Sequence, residues 1–106
     1  MKYLLIVFIF LLVSRPIFAN QNRNIPKDGY VPDEKTAVAI AEAVLTPIFG
    51  KEMIEEEKPF EAILQGEVWV VNGTLHCPEG QLCLGGVATA EISKQNGTII
   101  RTYHSQ

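Results

Sequence analysis

The side chains with chemistry to offer are two cysteines, two histidines and a run of glutamates. Cys77 and Cys83 enclose Pro78-Glu79-Gly80-Gln81-Leu82. Thiols so spaced close a disulfide in an oxidising compartment. With His76 and His104 they could in principle hold zinc, but the spacing matches no familiar zinc motif, so no metal and no cofactor are expected. His76 as a general base would need a nucleophile or substrate pocket, and neither is legible; the plain reading is a loop residue. His104 lies close to the C-terminus, where chains fray, which argues against catalysis there. No Ser, Cys or Lys forms a recognisable triad pattern.

Glu52, Glu55, Glu56 and Glu57 crowd the end of a short helical stretch. Carboxylates there oppose the helix dipole and repel one another, which hints at steering of a basic partner; a solvated helix face is the plain alternative. Trp69 sits in the most apolar segment, as a core residue or a pocket wall. Glu42 falls nearer the solvent side of its helix. Asn72-Gly73-Thr74 and Asn96-Gly97-Thr98 match the glycosylation sequon but read equally as turn and strand-end residues.

These groups are positioned by few elements. Asp33 can cap a helix beginning at Glu34, with Ala37, Ile40, Ala41, Val44 and Ile48 at helical spacing and Val38 and Leu45 widening the stripe. Pro47 and Gly50 mark its end, and Lys51 to Glu57 forms a second short helix before Pro59. From Phe60 the period becomes two: Phe60, Ala62 and Leu64 alternate with Glu61, Ile63 and Gln65 as a half-buried strand turning at Gln65-Gly66. Val68 to Leu75 reads as a central strand covered on both faces. Gly86 to Ser93 and Thr98 to Tyr103 flank Asn96-Gly97, a hairpin signal. The fold class is therefore α+β: an N-terminal helix and a short second helix on four antiparallel strands in two hairpins.

The 106-residue chain has a formal net charge of −3. Lys2 followed by the apolar run Tyr3 to Val13, with Pro16 and Ile17-Phe18-Ala19, reads as a signal peptide over residues 1–19. The run is shorter than the roughly 20 residues a spanning helix needs. No cysteine near the cut offers lipid attachment, so no membrane anchor is expected after cleavage. Residues 20–29 form a polar, flexible leader, and residues 30–106 one small domain with a thin core. Lys2 and Arg15 leave with the signal, which makes the exported chain more acidic still. An acidic surface disfavours nucleic acid and anionic lipid and favours a basic partner.

Tyr30-Val31-Pro32-Asp33, Ile40-Ala41-Glu42-Ala43, Pro47-Ile48-Phe49-Gly50, Pro59-Phe60, Trp69, Gly73-Thr74-Leu75 and Gly85 to Ile92, in that order, resemble the small immunity proteins of bacterial polymorphic toxin systems. That family has a reduced nuclear transport factor 2-like fold, a helix packed in a curved antiparallel sheet. The resemblance implies a non-enzymatic inhibitor that binds a cognate toxin. Export then places both in the periplasm. The expected contact residues are His76, Glu79 and Gln81 on the disulfide loop, together with Glu55 and Glu56.

Two other classes compete. The wider fold family includes isomerases and dehydratases with a cone-shaped pocket, so a small-ligand binder or isomerase-like enzyme is one alternative. It would need a deep acid or base. The other is a cystatin-like protease inhibitor, whose first binding hairpin Trp69-Val70-Val71-Asn72-Gly73 loosely resembles, with Trp where Gln is expected.

Overall fold

The computed structural model describes residues 25–106. The expected signal peptide, residues 1–19, and the first part of the expected leader lie outside the described residues. Helix α1 (Glu34–Phe49) is followed by α2 (Lys51–Glu56) and by β1 (Glu61–Gln65), β2 (Val68–Asn72), β3 (Ala88–Ser93) and β4 (Ile99–His104). The strands form one antiparallel sheet in the order β1-β2-β3-β4, so each strand pairs with its sequence neighbour. This is the α+β architecture expected, a helix packed on a four-stranded antiparallel sheet.

Asp33 is the N-cap of α1 and its carboxylate accepts the Thr36 N–H at 2.8 Å, satisfying one donor that the first turn leaves free. Two hydrogen bonds from Thr36, the side-chain one foremost and then that from its backbone N–H, hold the Asp33 carboxyl below its ordinary range. Ala37, Ala41 and Leu45 are fully buried, one helical turn apart. Their facing partners Ala88, Ala90 and Ile92 on β3 are fully buried too. Small side chains on both surfaces let helix and sheet approach closely, and Leu45, Ile54, Val71 and Ile92 fill the remaining space. Each large apolar side chain so buried contributes about 1.5–3 kcal/mol. Ile48, expected on the buried stripe, is exposed instead. The stripe's centre follows the i, i+4 row through Ala37, Ala41 and Leu45, leaving Ile48 on its outer side.

Pro47 is accommodated inside α1, which runs on to Phe49. Gly50, at φ 97°, then turns the chain into α2, and its N–H bonds to the Thr46 carbonyl.

The sheet departs from the sequence reading in three places. First, β2 is not covered on both faces. Trp69 and Val71 are buried while Val68, Val70 and Asn72 are half-buried, so the apolar run feeds one core face and one open face. Second, the β1–β2 turn is Gly66-Glu67, one residue later than expected, with Gly66 at φ 63°. Third, the β3–β4 connection is not a two-residue Asn-Gly turn. It spans Lys94 to Thr98, with only Gly97 taking positive φ, while the Asn96 side chain accepts the Thr98 N–H at 2.9 Å.

The approach to α1 is strapped to this last loop. Tyr30 and Val31 donate their N–H groups to the carbonyls of Gln95 and Lys94, each at 3.0 Å. The Val31 carbonyl in turn accepts from Trp69 Nε1 at 2.8 Å, which satisfies the polar edge of the one buried indole. Among the described residues no helix is long and apolar enough to cross a membrane.

Candidate functional site

The long β2–β3 connection carries most of the polar chemistry. Its root is clamped where α2 ends. The Thr74 N–H donates to the Glu57 carbonyl at 2.7 Å, the Thr74 hydroxyl donates to the Pro59 carbonyl, and the Gly73 N–H donates to Ala88. Further out, His76 Nε2 lies 2.6 Å from the Lys58 carbonyl. A carbonyl only accepts, so Nε2 carries the proton and Nδ1 is left to solvent. Cys77 and Cys83 then close the disulfide with Cα atoms 5.7 Å apart. Confining so small a loop contributes on the order of 2–2.5 kcal/mol by the chain-entropy relation. Leu82 and Leu84 flank Cys83 and are 91% and 89% exposed.

Between this loop and α2 lies a cavity of about 560 Å³, walled by Met53, Leu75 and Leu84 and edged by Glu56 and His76. A second, of about 760 Å³, adjoins it beyond Leu84-Gly85-Gly86 and reaches Gln106. Glu57 and His104 meet at the inner end of the first. Glu57 is only 8% exposed. Its Oε1 accepts the Ala88 N–H at 2.6 Å and its Oε2 lies 2.9 Å from His104 Nε2. His104 Nδ1 in turn faces the Ser105 carbonyl at 2.9 Å. Both ring nitrogens of His104 thus lie within hydrogen-bond distance of an oxygen. Phe49 packs edge-on against that ring, centroids 5.7 Å apart.

Chemically this pair is a clasp. It joins the end of α2, the start of β3 and the end of β4 through groups whose hydrogen-bonding capacity is already engaged. A triad would need an imidazole nitrogen free to take a proton from a nucleophile. The nearby Ser105 hydroxyl instead accepts the Val87 N–H at 3.0 Å. Two glycines make room: a Cβ on Gly73 would stand 2.6 Å from Glu57 Oε1, and one on Gly86 would run into the Ser105 backbone.

The residues singled out from sequence are dispersed around the cavity. His76 and Glu56 edge it. Glu55 points elsewhere and pairs with Lys58 at 2.9 Å, and this hydrogen bond is the main cause that raises the lysine above its ordinary value. Glu79 and Gln81 are exposed on the disulfide loop. Among the described residues no three or more His, Cys, Asp and Glu side chains cluster to hold a metal ion. Sequence reasoning overlooked the partnership of Glu57 with His104, separated by 47 residues. It also passed over Leu82 and Leu84, although two leucines around a cysteine outside any strand pattern are a readable sign of a presented loop.

The residue pattern of a family described as NTF2 fold immunity protein matches residues 36–106. The chain is also 34% identical over 76 residues to two Escherichia coli K12 proteins, the uncharacterized proteins YhhH and YbbC. Each match covers 72% of this chain, and 58% and 60% of the respective relative. The chain thus spans less than two thirds of the length of these curated relatives. No solved structure gives a significant match.

Proposed function

The chain belongs to the NTF2 fold immunity protein family, and from that premise we propose that it is an exported immunity protein that binds and neutralises a cognate antibacterial toxin in the periplasm, without catalysis of its own. The observation that carries this reading is the family match over residues 36–106. The surface supports it. A disulfide-closed loop holds Leu82 and Leu84 in solvent beside a cavity edged by Glu56 and His76. Apolar anchors set in a polar rim are the usual build of a protein-binding surface, and a constrained loop loses little entropy on docking. The excess of acidic residues supports a basic partner, whose encounter the field would speed. The contact residues are His76, Glu79 and Gln81, with Glu55 and Glu56 on the neighbouring helix.

The test is protection. Cells that make the protein are challenged by toxin-producing neighbours, with residues 1–19 present or deleted. Survival with residues 1–19 present and death without them is the expected result. Equal protection in both cases would remove the periplasm from the proposal. Replacing His76, Glu79 and Gln81 together by Ala abolishes protection if the loop is the contact surface; unchanged protection by a folded triple variant rejects that placement.

One observation favours a second reading. Glu57 and His104 at the inner end of a cavity are an acid and an imidazole that a ligand-binding or isomerase-like relative could use, once a ligand displaces the bond between them. Turnover of a small carbonyl compound by the purified protein, lost in H104A, would establish that class. The cystatin-like alternative fares less well, because Trp69 to Asn72 lies in β2, paired on both sides, and is not an exposed hairpin.

A further inference from the structure

The two edges of the sheet are built differently. On β4 the register slips, with Glu91 opposite Arg101 but Ile92 opposite Ile99, so Ile100 is an inserted residue. A bulge and a charged side chain are common protections of a free edge. On β1 there is no bulge, and the one charged residue, Glu61, stands at the strand's end. Its register against β2 is unbroken from Glu61 to Gln65, and its middle residues Ala62, Ile63 and Leu64 are uncharged. Ile63 and Leu64, on opposite faces of the strand, are 56% and 42% exposed.

The loop Gly66-Glu67 has two residues, which makes Gln65 and Val68 a hydrogen-bonded pair. Alternation then directs the backbone groups of Ile63 and Glu61 toward β2, and those of Ala62 and Leu64 away from the sheet.

We propose that β1 pairs antiparallel with β1 of a second copy of this chain, about a two-fold axis through Ile63. This register sets Ala62 against the second copy's Leu64, Ile63 against Ile63, and Glu61 against Gln65. Every outward N–H and C=O of Ala62 and Leu64 then finds a partner. No like charges stand opposite one another, as they would if Glu61 met Glu61. On the core-side face, a large residue meets a small one. Ala62 borders a groove of about 570 Å³ between Glu34–Val38 at the start of α1 and Phe60–Ile63. The second copy's Leu64 enters that groove, and its own Ala62 receives Leu64 in return. The contact is isologous and closes at two copies.

Sedimentation equilibrium of the purified protein tests this. A concentration-dependent monomer–dimer equilibrium is expected. Because Ile63 is exposed, I63K and I63E keep the fold, as circular dichroism verifies. Each places like charges together at the axis and weakens self-association by roughly tenfold or more. Mixing I63K with I63E restores a dimer of one copy of each. Gln65→Lys, which faces Glu61 across the axis, tightens the dimer roughly two- to fivefold. A native protein that stays monomeric at the highest concentration reached overturns the proposal. So does a dimer that both I63K and I63E leave unchanged, or a remixed pair that does not associate.

Discussion

The Glu57 carboxylate and the His104 imidazole, 47 residues apart in the chain, meet at 2.9 Å, while the other Glu57 oxygen holds the buried N–H of Ala88. One side chain at the end of α2 therefore fixes the beginning of β3 and the end of β4 together. Glu57→Ala removes both bonds and leaves the Ala88 N–H without an acceptor. The expected loss is roughly 2–4 kcal/mol in urea unfolding. Glu57→Gln keeps an acceptor for Ala88 and costs less than Glu57→Ala. Equal losses for the two would show that volume, not hydrogen bonding, holds the clasp.

Gly73 lies beside the same carboxylate without needing positive φ. A methyl group there would meet Glu57 Oε1 at 2.6 Å and Glu57 Cβ at 2.9 Å. Gly73→Ala therefore displaces Glu57 and destabilises the protein by roughly 1–3 kcal/mol. Combined with Glu57→Ala, it costs less than the two single effects summed, because the nearest contact, with Oε1, has been removed while that with Cβ stays. A double-mutant cycle reads this coupling directly.

Breaking the disulfide with Cys77→Ser and Cys83→Ser removes the short-loop constraint, for a loss of up to about 2–2.5 kcal/mol. The loop root is held independently by Thr74 and Gly73, so α1 and the sheet still fold. Amide exchange in the double variant quickens between residues 75 and 86 and stays slow in β2 and β3. Loss of protection throughout the sheet would contradict this.

Asp33 links stability to acid. Its carboxyl is held below the ordinary value of 3.8 by the hydrogen bonds of Thr36. A group whose folded value is depressed contributes fully above the unfolded value, and the contribution fades as pH falls through the folded one. Asp33→Asn retains a capping oxygen but does not titrate. Thermal melts across the carboxylate range should show the variant losing less stability on acidification than the native protein. Parallel losses would assign the acid sensitivity to other carboxylates.

Local signals carried the fold a long way. The Asp33 cap, the alanine row at 37 and 41, the change of period at Phe60 and the Trp69 strand all act within a few residues, so their physics is visible along the chain. What escaped depends on distant partners. The run Val68 to Val71 looks the same whether one face or two is covered, and only the absence of a second helical layer over the sheet, among the described residues, separates the cases. Asn96-Gly97 signals a tight turn by type, yet the inserted Ile100 changes the register and the loop widens. Along the chain His104 looks like a fraying end because nothing nearby in sequence holds it. Its anchor comes from α2, where Glu57 looks like only one charge among four. Of the proposed contact residues, Glu56 and His76 converge on one cavity, whereas Glu79 and Gln81 take their positions from the loop alone.

The hydrogen bonds that hold the β2–β3 connection to the rest of the molecule are gathered at its two ends, through Gly73, Thr74 and His76 on one side and Val87 on the other. Between them, Pro78 to Leu82 contributes no side chain to the core. The tip is thus a removable module on a fixed socket. Its residues can be exchanged while the hydrogen bonds at the root, through Gly73, Thr74 and Val87, stay in place.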